Sequence, residues 1–576
     1  MRLPLSLDTI GFFATVSAFL LISSAASAQT PSDIPPSQIP QVPRTPNESL
    51  EPQTGDRPEQ ELEVPDGIFP PQVFPEEGTL FVSEFEFLDN TVLSNEQLRE
   101  IAAPYINREI TFAELLQFQA EVSDLYVERG YTTAEVYIPI ENNQNIDLDA
   151  VVFKVQIFEG TVEAVEINGD ARLHRYVRER LAPALGPLNQ PALEEALRQL
   201  SVDPLIENIS ANLSTGTQIG SSILTVQVSG ESNFIASVGT DNQRAPAAGS
   251  IQREAQLSAA NLLALGETFR VGYSNTDGSN GFRAGVEVPV NANDGTIAFD
   301  YSQLDGRIVE EPIDEFDIRS DSRVYTLSFQ QPLVRSVSNE KIEEFSIGAA
   351  ASRLESTTTL SGFPFPLSPG ANDDGETRIT ELSLFQEYAR QGEESALFAQ
   401  SRFNFGINAF GSTAGTEPNG QYLSWRGQIA WLSRVFGSSQ LLVSGDVQLS
   451  PDQLVPISQF SLGGPKSIRG YRQDALIADS GLIAAVELAI PVLEFSDDQQ
   501  ISVIPFAGAG FGWNNGAERA LDESFLAAVG LGLQYELAGF TARLNYAVPL
   551  TDRVGLQGDS LQENGFDFDL GYQLRF

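Results

Sequence analysis

The chain has 576 residues, with 34 Lys+Arg against 78 Asp+Glu and a net charge of −44, which excludes a general attraction to nucleic acid. It holds no cysteine and one histidine, His174. That composition excludes disulfides, thiolate chemistry, Cys/His zinc sites and any catalytic triad or dyad needing a histidine in the later part of the chain, and no cofactor or metal is called for.

Residues 1–28 read as a secretory signal peptide: Arg2 opens it, Ile10–Ile22 is mostly apolar, and Ala26-Ser27-Ala28 ends in small residues. The apolar run is shorter than the about 20 residues of a membrane-spanning helix, and no later segment qualifies. A chain of this kind that spans a membrane does so as a closed barrel. Residues 29–78 are rich in proline and acid and read as an extended linker, with no amphipathic helix.

From Thr79 the pattern predicts a β-α-α-β-β unit over 79–158. Leu80–Phe87 alternates as a strand, and Ser94 with Gln97 marks a capped helix start. Phe112–Arg129 has helical spacing and stops at Gly130, and Tyr131–Ile138 and Val151–Phe158 read as strands. The order repeats over 159–230. Thr161–Ile167 is a strand, Leu173–Leu181 and Pro191–Leu200 are helical, and Ile206–Leu213 and Ile223–Val228 are strands. His174 reads as a solvated helix residue.

Over 231–576 the helical signal is gone and sixteen strand-like runs follow, separated by turns such as Thr276–Gly281 and Gly370–Gly375. Most are near or above the about 9–11 residues that a tilted strand needs to cross a bilayer. In one run Leu423, Trp425, Ile429 and Trp431 oppose Ser424, Arg426, Gln428 and Arg434; in another Leu397, Phe403, Phe405 and Ile407 oppose Gln400, Arg402 and Asn404. The chain ends with Phe566, Phe568, Leu570, Tyr572, Leu574 and Phe576 at every second position. An edge this apolar would aggregate in water and suits a lipid-facing wall.

Between the runs Ser439–Leu449 and Leu482–Ile490 lies Leu462-Gly-Gly-Pro-Lys-Ser-Ile-Arg-Gly-Tyr471, a structured loop within 450–480. It reads either as a basic turn on a solvated hairpin or, in a barrel, as a loop folded back into the lumen.

Two β-α-α-β-β units, the first closing on Phe158-Glu159-Gly160 and carrying Glu128-Arg-Gly-Tyr131, resemble polypeptide-transport-associated (POTRA) repeats. Joined to a secretory signal, sixteen runs and the loop Ile468-Arg469-Gly470-Tyr471, they resemble a two-partner secretion transporter (TpsB) of the haemolysin and filamentous-haemagglutinin type. The resemblance implies a 16-stranded antiparallel transmembrane β-barrel preceded by two α+β POTRA domains in the periplasm, in a Gram-negative-type outer membrane. It implies ATP-independent export of an unfolded exoprotein and no enzymatic activity. The implied partners are the exoprotein, outer-membrane lipid and the barrel-assembly machinery, for which Tyr572, Leu574 and Phe576 resemble the terminal recognition signal. An insertase of the same superfamily and a passive porin are the rival readings, and an outer-membrane enzyme is a third that the lone His174 disfavours.

By the same resemblance, the strand Tyr131–Pro139, with Tyr131, Thr133, Glu135 and Tyr137, receives the client by β-augmentation. The family's Phe-x-Asp-x-Gly wall motif, whose aspartate pairs with the loop arginine, reads Phe506-Ala507-Gly508-Ala509-Gly510 here. The carboxylate is missing. Arg469 carries its charge at any relevant pH and needs another partner. Alternation turns Leu482, Ala484, Val486, Leu488 and Ile490 outward, so Glu487 faces inward and is the expected partner. It also matches a glutamate of this strand in the superfamily, with Asp446 on the preceding strand in reserve.

Overall fold

The computed structural model describes residues 79–576, apart from 140–150, 219, 339–340, 416–417, 497–498, 517–520, 522 and 554–557. The signal peptide 1–28 and the linker 29–78 lie outside the described residues. Among those described, no helix is long and apolar enough to cross a membrane. The chain divides between Glu231 and Ser232 into two compact units.

The first unit opens with β1 (Thr79–Leu88), α1 (Asn95–Ala102), β2 (Arg108–Thr111), α2 (Phe112–Glu128), β3 (Glu135–Tyr137) and β4 (Val151–Phe158). Their sheet has the order β2-β1-β4-β3, with β1 and β4 parallel. Both helices start on capping boxes, Ser94 with Gln97 and Thr111 with Glu114, so orphan amides of each first turn are satisfied by side chains. The buried stripe of α2 (Leu115, Phe118, Val122, Tyr126) packs with Val82, Phe85 and Val155, and the Phe85 and Phe118 rings stack at 4.1 Å. Each such side chain stabilises the fold by about 1.5–3 kcal/mol. Strand β2 was not expected; it is four residues long and only Ile110 turns inward.

The repeat follows as β5 (Thr161–Gly169), α3 (His174–Leu181), α4 (Gln190–Ser201), β6 (Ile206–Thr215) and β7 (Ser221–Gly230), in the order β5-β7-β6 with β5 and β7 parallel. Leu193, Leu197 and Leu200 of α4 and Val177 and Leu181 of α3 close its own core with Leu224 and Val226. The two halves are tied together. The Gln190 amide donates to the Gly130 carbonyl (2.9 Å), Asn189 Nδ2 to the Arg129 carbonyl (3.0 Å), and the Thr132 hydroxyl to Gln190 Oε1 (2.8 Å).

In the second unit sixteen strands, among the described residues, close into an antiparallel barrel from Phe234–Asp241 to Phe566–Arg575, which pair with each other. Strand length runs from 8 to 20 residues. The two faces separate as the alternation predicted: Leu423, Ile429, Trp431, Phe403 and Phe405 are exposed, whereas Ser424, Arg426 and Gln400 are buried. An exposed apolar belt over a polar interior is what a bilayer demands of a barrel. At the seam the Phe234 and Phe576 backbones exchange hydrogen bonds of 3.1 and 3.0 Å and their rings stack at 5.6 Å.

Candidate functional site

The strands Ser480–Ser496 and Gln499–Trp513 build the wall of the site. Leu482 and Val486 are exposed on the outside, so Ile483 and Glu487 face in and are buried. Register sets Glu487 opposite Phe506 and Ala485 opposite Gly508. The chain between Leu449 and Ser480 lies on this inner face. It contains a short hairpin, Phe460–Leu462 paired with Leu476–Ala478. Phe460, Leu462, Ile468, Tyr471 and Leu476 bury themselves against Ile483, Leu526 and Ala528 of the wall. Glycine in the wall is what admits them. A Cβ at Gly510 would stand 2.7 Å from Ile468 Cδ1, and one at Gly512 2.7 Å from Leu476 Cδ2.

Arg469 reaches Glu487 with Nη2–Oε1 at 2.7 Å, and its guanidinium lies 4.5 Å from the Phe506 ring centroid. The second oxygen of Glu487 is taken by Arg543, Nη2–Oε2 2.6 Å. Arg543 Nε donates to Asn545 Oδ1 (3.0 Å), and Asn545 Nδ2 to Asp567 Oδ1 (2.6 Å). One buried carboxylate therefore serves two cations from different elements. The two short charge-assisted contacts offset the desolvation of three ions, and removing the shared member would cost about 3–5 kcal/mol. Sequence reasoning missed Arg543. The signal was there: on Phe540–Pro549 the buried polar Arg543 and Asn545 alternate with the exposed Leu544 and Tyr546.

Around this pair the loop motif is fitted residue by residue. Gly470 has φ +93° and a Cβ there would meet the Ala547 Cβ at 3.2 Å, so both backbone shape and close approach require glycine. The Tyr471 hydroxyl donates to the Ala527 carbonyl (2.8 Å) and shares a hydrogen bond with Thr551 Oγ1 (2.7 Å). Arg472 binds Glu310 (2.8 Å) and Glu563 (3.4 Å), which follow different strands of the barrel. Asp446 is not a partner of Arg469. Its strand sets it opposite Gln428, so Arg426, two residues along, holds it at 2.6 Å with help from Gln428 at 3.2 Å. A Cβ at Gly508 would make only ordinary contacts, 3.7 Å to the Ala484 carbonyl oxygen and 3.9 Å to that of Ser467.

The expected client strand is shorter than the run Tyr131–Pro139. Gly130 (φ +87°) ends α2, and the Tyr131 amide turns back to the Tyr126 carbonyl at 3.0 Å. Tyr131 packs its ring on Tyr126, and Thr133 lies against Gly160, where a Cβ would come 1.9 Å from its hydroxyl. Only Glu135 and Tyr137 lie on β3, half-buried, at the end of the sheet order. Tyr572 and Leu574 stand exposed on the last strand and Phe576 directly after it, and His174, expected in solvent, is half-buried at the start of α3.

A model of the haemolysin secretion/activation protein family ShlB/FhaC/HecB matches residues 220–535, more than half of the chain, and a ShlB-type POTRA domain matches 80–160. The chain belongs to this family. Among similar proteins are the outer membrane transporter CdiB of Dickeya dadantii, 22% identical over 411 residues (69% of this chain, 70% of the relative), and the heme/hemopexin transporter protein HuxB of Haemophilus influenzae, 18% identical over 497 residues (82% and 84%). The solved structure of CdiB from Escherichia coli has the same fold, at a TM-score of 0.60 and 19% identity over 89% of this chain and 94% of that one. As a member of the ShlB/FhaC/HecB family the protein is a two-partner secretion transporter of the outer membrane, with its POTRA region in the periplasm.

Proposed function

We propose that this ShlB/FhaC/HecB transporter passes an unfolded exoprotein from the periplasm to the cell surface without ATP, and that the loop around Arg469 closes the path until the client moves it. Residues 159–230 serve as the second POTRA domain, repeating the parallel pairing of first and last strands seen in the first. The client adds as a strand on the β3 side of the first domain, where main-chain hydrogen bonds recognise any extended segment. The loop carries the reading. Within the barrel wall it is held by side chains, Arg469 on Glu487 and Tyr471 on Ala527, rather than by pairing into the wall's own ladder. Such contacts can be released and remade with the strands intact. The chain also lacks a Gly-Lys-Ser/Thr phosphate loop, as suits a compartment without nucleotides.

The test is reconstitution. Proteoliposomes holding only this protein should take up, into a protease-protected space and without nucleotide, an unfolded secreted protein encoded by the neighbouring gene. Photo-crosslinkers at Glu135 and Tyr137 should capture a stalled client. Uptake that needs ATP, or insertion of a barrel client into the bilayer in place of passage through it, would overturn the proposal.

A further inference from the structure

Gly508, at the place where the resemblance would put an aspartate, lines a polar recess in the wall. This cavity of about 80 Å³ is lined by Gln428, Asp446, Lys466, Ser467, Arg469 and Gly508, among others. Two hydrogen-bonding atoms at this place, Arg469 Nε and the Ser467 hydroxyl, are buried and have no partner among the described residues. Arg469 is 8% exposed, so bulk water does not serve its Nε. Leaving such a donor unmet costs more than an ordinary hydrogen bond is worth, the more so for a charged group.

The two carboxylates that share the lining are committed elsewhere. Asp446 accepts from Arg426 Nε (3.1 Å) and Nη2 (2.6 Å), and Glu487 divides itself between Arg469 and Arg543. Lys466 adds a further cation, in electrostatic reach of Asp241 and Asp569 as well. Arg469 thus shares Glu487 with Arg543, lies in electrostatic reach of Asp567, and keeps an unspent N–H in the cavity that Gly508 also lines. A planar guanidinium edge next to a hydroxyl is a donor pair suited to a small monovalent anion.

We infer that the recess beside Gly508 binds a small monovalent anion of the chloride class, held by Arg469 Nε and the Ser467 hydroxyl, and that this anion completes the anchoring of the loop. The site stands independently of the transport reading. It rests on the orphaned donors, the cavity and the uncrowded Cβ direction at Gly508, where an aspartate would place a carboxylate beside the same space.

Crystals of the full-length protein soaked in sodium bromide test it. The anomalous map should show one peak within hydrogen-bond distance of Arg469 Nε and Ser467 Oγ, lost in Gly508→Asp and weakened in Ser467→Ala. In detergent, the temperature at which the heat-modifiable band converts to the unfolded one should be higher in chloride than in gluconate, an anion too large for the recess, at equal ionic strength. That difference should vanish in Gly508→Asp. If Gly508→Asp does not assemble, Ser467→Ala carries both readouts. A map with ordered water only, a bromide peak indifferent to the substitutions (an adventitious ion only), or equal conversion in the two salts overturns the inference.

Discussion

Two carboxylates, half-buried Glu159 in the first unit and buried Glu487 in the barrel, are satisfied in opposite ways. Glu159, after β4 in the first unit, is held by neutral donors: the Thr91 amide (2.7 Å), the Thr91 hydroxyl, the Val92 amide (2.8 Å) and the Tyr126 hydroxyl (2.8 Å). Glu487 in the barrel is held by two guanidiniums. Neutral donors leave nothing charged behind when the carboxylate is removed; guanidiniums do. The Glu159 cradle fastens the β1–α1 connection to the end of β4 within one fold, a job that needs no release. The Glu487 cluster joins a loop to a wall, and its strength lies in a charge balance that one lost member upsets.

That contrast orders the expected effects. The largest belongs to Glu487→Gln, which strands both Arg469 and Arg543. Secretion should fall by an order of magnitude or more and the loop should become accessible to protease, while heat-modifiable migration still reports a closed barrel. Arg469→Ala leaves Glu487 with Arg543 and should be the milder lesion in protease accessibility, though it too should cut secretion. The double variant should be little worse than Glu487→Gln alone, because the two groups act as one unit. Equal protease sensitivity in the two single variants would remove Arg543 from the account.

A smaller effect is expected at Glu159. Burial pushes its carboxyl up, but the Thr91 hydroxyl, the Val92 and Thr91 amides and the Tyr126 hydroxyl outweigh burial and hold it below the ordinary glutamate value. A depressed folded value means a contribution fully present above the unfolded value, about 4.3, and lost as pH falls through the folded one. After allowance for its partial exposure, Glu159→Gln should cost about 1 kcal/mol at neutral pH. Pulse proteolysis of the periplasmic unit in the full-length protein should show the wild type converging on the variant as pH drops below about 4. A wild-type advantage that does not shrink as the pH is lowered would contradict this.

How much of this was legible beforehand follows from how local each cause is. The barrel strands declared themselves because side chains alternate with the lipid they face, residue by residue, as in Leu423–Trp431. Glu487 could be placed by the same period, since its neighbours Val486 and Leu488 had to face outward. Arg543 could not be matched to it by spacing, because the two lie 56 positions apart and meet only through barrel closure. The run Tyr131–Pro139 had strand composition, yet Gly130 and the contact of Thr132 with Gln190, 58 positions on, bend its start into a turn. The recess at Gly508 was visible only as a missing carboxylate. Its orphaned donors depend on how Arg469 divides Glu487 with a third residue.

The central claim is that the loop rests on the wall through releasable contacts and must leave it for a client to pass. The Ser467 carbonyl oxygen stands 3.9 Å from where a Cβ at 508 would lie, and the chain contains no native cysteine. A Ser467→Cys, Gly508→Cys variant joined by a short thiol-to-thiol bridge therefore pins loop to wall. With the bridge complete, secretion in cells should stop, and cleaving the bridge should restore it to the level of the uncrosslinked variant. Undiminished secretion through fully bridged barrels would show that the loop stays in place during export, and the account would fail.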